Sequence, residues 1–254
     1  MTDILVCEDS LTGILTGIYR AYEWKMKPEN TVIQVGEEGN LVLFAEYRKV
    51  EPDETAADKV IRTLKRILGD EVVYDFETAL LSEDLSKGDA VYHTVAIAIK
   101  DKKTRVMEFL QNDYVRKVFE LSRRVNYEIH HLLGFIRFEE LANGILCAVI
   151  CPKADVLTRL APHFTDRFPM ENFVIFDEKR GSAAVHPANC GWFITEGNPS
   201  MFEDAERSGR EQYIQSLFRH FVDTIAIDSR INDKLRRNML PLRFRPYMTE
   251  FKNK

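Results

Sequence analysis

The sequence predicts an α+β protein, with an antiparallel sheet of ββαββ-like order in the C-terminal half and a helical central region. Three observations carry that expectation. Between residues 55 and 132, apolar positions recur mainly at helical spacings of three and four. From 135 to 186, short alternating runs flank turns, among them Asn143-Gly144, the strongest short hairpin signal. A helical period from Ala154 to Arg167 sits between those runs and completes the ββαββ order.

Taken in order, Ile4–Cys7 reads as a short strand and Leu11–Lys25 as a helix. Asp9 and Ser10 are its candidate N-caps, and Pro28 follows as a stop. Gly13 and Gly17 form a small-residue pair suited to close packing. Val32–Gln34 and Leu41–Tyr47 read as strands around a Gly-Glu-Glu-Gly turn. Ala57, Ile61, Leu64 and Leu68 mark a helix that Gly69-Asp70 ends. Helices are expected over Phe76–Leu81 and Asp89–Leu110, the second on length, because Val95, Ile97 and Ile99 also alternate like a strand. Asn112–Leu132 carries a buried stripe of Tyr114, Val118, Leu121, Val125, Ile129 and Leu132. Strands follow at Phe135–Leu141, Ile145–Cys151, Phe173–Asp177 and Ala183–His186, then a polar loop, Asn189–Ser208. A last helix, Gly209–Ile225, is expected to bury Ile214, Leu217, Phe218, Phe221 and Ile225. The chain reads as one domain, 1–254, with sub-regions at 1–50, 51–132 and 133–254.

Composition excludes several classes. With 254 residues, 45% hydrophobic and 30% charged, the chain is neither disordered nor low in complexity. No stretch approaches the twenty or so apolar residues of a membrane span. The start, MTDILVCEDS, lacks the basic and apolar run of a secretory signal, and four scattered cysteines make no disulfide framework. A cytoplasmic location is therefore expected. The net charge of −5 is no general nucleic-acid footprint, yet Ser229–Pro246 holds six basic residues against Asp233 alone. An anionic partner would meet a local patch.

Phosphate-loop, dinucleotide, nucleophile-elbow and zinc-protease motifs are missing, as are the zinc-deaminase pattern and an iron–sulfur cysteine cluster. No cofactor and no metal site is expected. Cys147 and Cys151 share a strand face but lie about 13 Å apart along it, and read as small buried hydrophobes. A Cys190–His186 pair has no local support.

The positive signals are basic. Arg116, Arg123 and His130 repeat every seven residues on one helix, as do Lys117, Arg124 and His131. These rows are either a solvated face relieved by Glu120 and Glu128 or an anion-contacting one. The segment Pro162–Arg180 gathers His163, Asp166, Arg167, Asp177 and Arg180 beside strand ends. Such a set either grips a phosphate or carboxylate or forms salt bridges that orient a loop.

The run HHLLGFIRFEELANGILCAVICPKADVLTRLAPHFTDRFPMENFVIFDEKRGSAAVH, His130 to His186, resembles the DNA-metabolism or DNA-repair family of domain of unknown function 4130. CEDSLTGILTGIYRAYEWK resembles its opening strand and helix, LSEDLSKGDAVYH its central helical stretch, and RINDKLRRNMLPLRFRPYM its closing basic segment. The matching positions are His130, Gly134, Arg137, Phe138, His163, Phe164, Arg167, Asp177 and Arg180. The chain departs from the family pattern at CEDS, where a Tyr-Asp-Gly-Ser-like start is usual. It departs again at MLPLRF, which lacks an aromatic of the usual tail.

The resemblance implies work on DNA beside a radical-SAM partner protein. On that expectation Arg116, Lys117, Arg123, Arg124, Arg236 and Arg237 contact phosphates. Arg137, Arg167 and Arg180 line a smaller pocket, with His163, His130 and Asp177 as catalytic candidates. The alternatives are an enzyme acting on a nucleotide or DNA base at that His/Arg pocket, or a protein–protein adaptor without DNA affinity.

Overall fold

The computed structural model describes residues 2–36, 42–101, 105–197, 205–225, 227 and 232–251. The chain divides into two compact units, residues 1–127 and 128–254.

In the first unit, β1 (Thr2–Cys7) leads through α1 (Leu11–Glu23) to β2 (Thr31–Val35), and β3 (Ala45–Val50) follows. The sheet order is β2-β1-β3 and every pair is parallel, with Leu5 opposite Ile33 on one side and Arg48 on the other. This corrects the reading of the second and third strands as neighbours around one turn, since each pairs with β1 instead. A helix between two strands makes a crossover, and a crossover returns the chain in the same direction. The predicted Leu41–Tyr47 strand is displaced to β3, and residues 37–41, with most of the Gly-Glu-Glu-Gly turn, lie outside the described residues.

α1 and α4 (Lys87–Asp101) pack on this small sheet, α2 (Glu54–Leu68) packs on α1, and α3 (Asp70–Leu80) on α2 and α4; the first half of α5 (Asp113–Phe135) belongs to the same unit. Ser10 caps α1 by accepting the Gly13 N–H, as its position predicts. Asp53 does the same for α2 through the Ala56 N–H, and Gly69, at φ 89°, ends it. The helical reading of α4 holds over Lys87–Asp101, while residues 105–110 lie outside it. The stripe on α5 is buried at Val118, Leu121 and Val125. Tyr114 is exposed instead, because it stands in the first turn, where Val115 takes the inward position.

Gly17 explains how α1 approaches β1. A methyl group built on Gly17 would meet the Cys7 sulfur at 2.3 Å, and one on Gly13 would meet the Glu8 carbonyl oxygen at 2.7 Å. Cys7 is buried against that surface, and burial pushes its thiol up to about 12.

The second unit holds β4 (Glu139–Glu140), β5 (Leu146–Ile150), α6 (Leu157–Arg167), β6 (Phe173–Asp177), β7 (Ser182–His186) and β8 (Phe193–Glu196). Their order is β4-β5-β6-β7-β8, antiparallel except β5–β6, which α6 joins in parallel. The central helix therefore overturns a purely antiparallel sheet. The Asn-Gly turn is present, with Gly144 at φ 80°, and Gly181 at φ 62° turns β6 into β7. β8 falls inside the segment expected to be loop.

Among the described residues, α7 (Gly209–Ile225) and α8 (Asp233–Met239) follow, and then a 3-10 segment, Leu242–Tyr247. The residues expected to be buried by α7 are not: Ile214, Leu217, Phe221 and Ile225 are exposed and Phe218 is half-buried. Periodicity tells which face of a helix is apolar but not whether another element covers it. Cys147 is buried as expected, whereas Cys151 is exposed because it lies one residue beyond β5, where strand alternation no longer applies.

Gly17→Ala is expected to destabilise the protein by about 1–3 kcal/mol through overpacking against Cys7, read as a lower denaturant midpoint at unchanged slope.

Candidate functional site

The densest polar cluster forms where β5 and β6 end. Asp177, wholly buried, accepts the backbone N–H groups of Lys179 and Arg180 at 3.0 and 3.3 Å and pairs with the Arg180 guanidinium at 2.9 Å. That guanidinium also donates to the carbonyls of Pro152 and Lys153, at 3.3 and 2.6 Å. The N–H groups of the same turn go elsewhere: the buried Glu128 carboxylate accepts those of Lys153 and Ala154, both at 3.0 Å. Arg243 completes the set, 3.0 Å from Glu128.

Burial pushes the Asp177 carboxyl above its ordinary range, against the pull of Arg180. The neighbouring His131 is held below the usual histidine range by burial first and by His130 and Arg243 next. These charges satisfy one another, so the Asp-x-x-Arg motif here is a turn clamp.

The three pocket arginines stand apart. Arg180 is in the clamp. Arg137 donates to Glu250 at 2.8 and 3.3 Å and to the Gly134 carbonyl at 2.9 Å. Arg167 is exposed, its guanidinium 5.6 Å from the centre of the Phe168 ring. No hydrogen bond or ion pair joins the three among the described residues. Arg137 lines a cavity of about 60 Å³ with Glu139, Cys147, Arg207 and Tyr247. Tyr247 donates to Glu178 at 2.5 Å, and its phenol is pushed far up by burial, Glu178 and Cys151.

Of the catalytic candidates, Asp177 is buried, while His163 and His130 are exposed on α6 and α5. The His163 ring sits edge-on to Phe164, and no hydrogen bond links either histidine to Asp177. His186 is buried against Phe173, and Cys190 is exposed.

The phosphate-contact candidates divide more sharply. On the first half of α5, Arg116 pairs with Asp113, and Lys117 pairs with Asp84 at 2.7 Å. Partial burial would raise the Asp84 carboxyl, but Lys117 and Ser86 outweigh it and hold the group down at about 2. Arg123 and Arg124 are exposed and make no ion pair among the described residues. With Phe119, Glu120 and Tyr127 they line a shallow depression of about 520 Å³, and both aromatic rings are exposed there. In the tail, Arg236 pairs with Asp233 at 2.8 Å and Arg237 is exposed. Arg243 is taken by Glu128, the Arg245 guanidinium lies 5.1 Å from the Phe251 ring centre, and Arg230 falls outside the described residues.

Three residues escaped the sequence reading. Glu128 was assigned to charge relief on a helix face and instead organises a turn. Lys87 is buried, 2.5 Å from Asp9 and 2.6 Å from the Ser82 carbonyl oxygen. His93 lies 3.4 Å from Asp89 on α4, and the four-residue spacing of that pair was the available signal.

The family model described as a domain of unknown function (DUF4130) matches residues 86–250, well over half of the chain. The chain belongs to that family. No curated protein matches the sequence. The family description names no activity.

Glu128→Ala is expected to cost about 3–5 kcal/mol in urea unfolding, because it strands Arg243 and two backbone donors. Glu120→Ala, on the exposed side of the same helix, should stay within about 0.5 kcal/mol of the parent.

Proposed function

We propose that this protein binds nucleic acid, DNA in the first instance, along the first half of α5, as an accessory subunit to a radical-SAM partner. The observation that supports it is the pair Arg123 and Arg124, exposed and without ion pairs among the described residues, beside the exposed rings of Phe119 and Tyr127. Cations of this kind neutralise phosphates and release counterions, and flat rings offer stacking platforms to unpaired bases. Most other candidate arginines are occupied by carboxylates within the fold. Arg237 in the tail is a further exposed cation, with Arg236 next to it. DNA and the radical-SAM partner enter through the family resemblance, and both belong to this reading.

An adaptor role is the second reading, and α7 favours it. Its exposed row of Ile214, Leu217, Phe221 and Ile225 is the kind of apolar surface that protein partners cover.

Fluorescence anisotropy with single- and double-stranded oligonucleotides across a salt series tests the proposal. Affinity should fall linearly in log–log salt. Arg123→Ala with Arg124→Ala should lower the single-strand slope by about 1.4, and Arg236→Ala with Arg237→Ala should lower it further. An absence of binding at low salt, or a slope unmoved by Arg123→Ala with Arg124→Ala, contradicts the proposal.

A further inference from the structure

We infer that the cleft at the N-terminal ends of β1 and β2 in the first unit is a binding site for a nucleoside 5′-monophosphate. Strand ends, the 3-10 turn Pro28–Asn30, α4 and the start of α5 enclose a cavity of about 630 Å³. That volume falls within the usual range of small-molecule sites, and the wall is of the usual kind, mostly apolar with a few polar groups.

The wall is built around a braced pair of rings. His93 stacks on Tyr114 with centroids 4.1 Å apart and planes 23° from parallel. Asp89 stands behind His93, 3.4 Å from Nε2, and the same carboxylate oxygen accepts the Ile33 N–H at 3.2 Å. The histidine is thereby tied to the backbone of β2, and the tyrosine is tied to the histidine. Tyr22 adds another ring to the lining. A flat, held aromatic surface favours a flat aromatic ligand, because stacking gains most when neither face has to be ordered on binding.

The polar groups complete the specification. Asn112 spends its carbonyl oxygen on the N–H groups of Tyr114 and Val115, which leaves its amide N–H groups to face a ligand. Asn30 lines the cleft and makes no side-chain hydrogen bond among the described residues. Two amides suit the edge of a heterocyclic base. An aliphatic ligand would fill the apolar wall but leave those groups unmatched, at a desolvation cost. Lys100, exposed and without an ion pair among the described residues, gives the described lining a cation for a single phosphate. Glu29 offers a carboxylate to sugar hydroxyls. This inference goes beyond the nucleic-acid reading: the ligand is a monomer, and neither Arg123 nor Arg124 lines the cleft.

The test is isothermal titration of the full chain with the common ribonucleoside 5′-monophosphates and their parent nucleosides. At least one monophosphate should bind at a single site. Tyr114→Ala should weaken it about tenfold or more, while Tyr114→Phe, which keeps the ring, should bind like the parent. Lys100→Ala should remove the preference for monophosphate over nucleoside, a loss of about tenfold. Both residues are exposed, so neither change opens the core. Arg123→Ala with Arg124→Ala should leave monophosphate binding unchanged, which separates this site from the α5 face. The inference is overturned if no monophosphate binds at millimolar concentration. It is equally overturned if binding survives Tyr114→Ala and Lys100→Ala, or is lost only with Arg123 and Arg124.

Discussion

The second unit depends on how the turn after β5 is held. A parallel β5–α6–β6 crossover obliges the chain to leave the sheet, turn and enter a helix. Backbone groups in such a turn are costly if buried without partners. Here Glu128 takes two of its N–H groups and Arg180 two of its carbonyls, while Asp177 holds Arg180 and Arg243 meets Glu128. One cluster thus ties α5, the β6–β7 turn and the C-terminal segment to a single point. The tail is fastened twice more, through Tyr247 to Glu178 and Glu250 to Arg137. Part of what the sequence presents as a basic tail is thus a strap, fastened by Arg243, Tyr247 and Glu250, and its Arg243 neutralises the buried Glu128.

That arrangement sorts the arginines into two kinds. Arg137, Arg180 and Arg243 are spent within the fold, and removing any of them leaves an uncompensated carboxylate. Arg123, Arg124 and Arg237 have no such engagement among the described residues and face solvent. A cation that stabilises the fold is poorly placed to exchange its partner for a phosphate. The functional reading therefore rests on the face of α5 and not on the polar His163–Arg180 segment.

Local features were well marked in the sequence. The Ser10 cap, the Asn-Gly turn, the close-packing glycines of α1 and the bounds of β6 all follow from neighbouring residues, and all stand in the structure. Features set by distant residues were not marked. The three parallel pairings depend on which strand a crossover lands beside, and the exposure of α7 depends on what packs against it. The role of Glu128 was equally hidden, because its partners lie more than twenty residues away in the chain, whereas the Asp177–Arg180 bridge, three residues apart, was one of the two readings the sequence offered. His93 is the intermediate case: its spacing from Asp89 was legible, but its stack on Tyr114 joins two helices.

The central claim is that unpaired arginines on α5, and not the arginines of the Asp-x-x-Arg clamp, meet the nucleic acid. Hydrogen–deuterium exchange of the full chain with and without a single-stranded oligonucleotide reads this directly. The account predicts added protection across residues 119–127 and no change in the 151–154 turn or at 177–180. Protection confined to residues 163–180, with α5 unaltered, would contradict it.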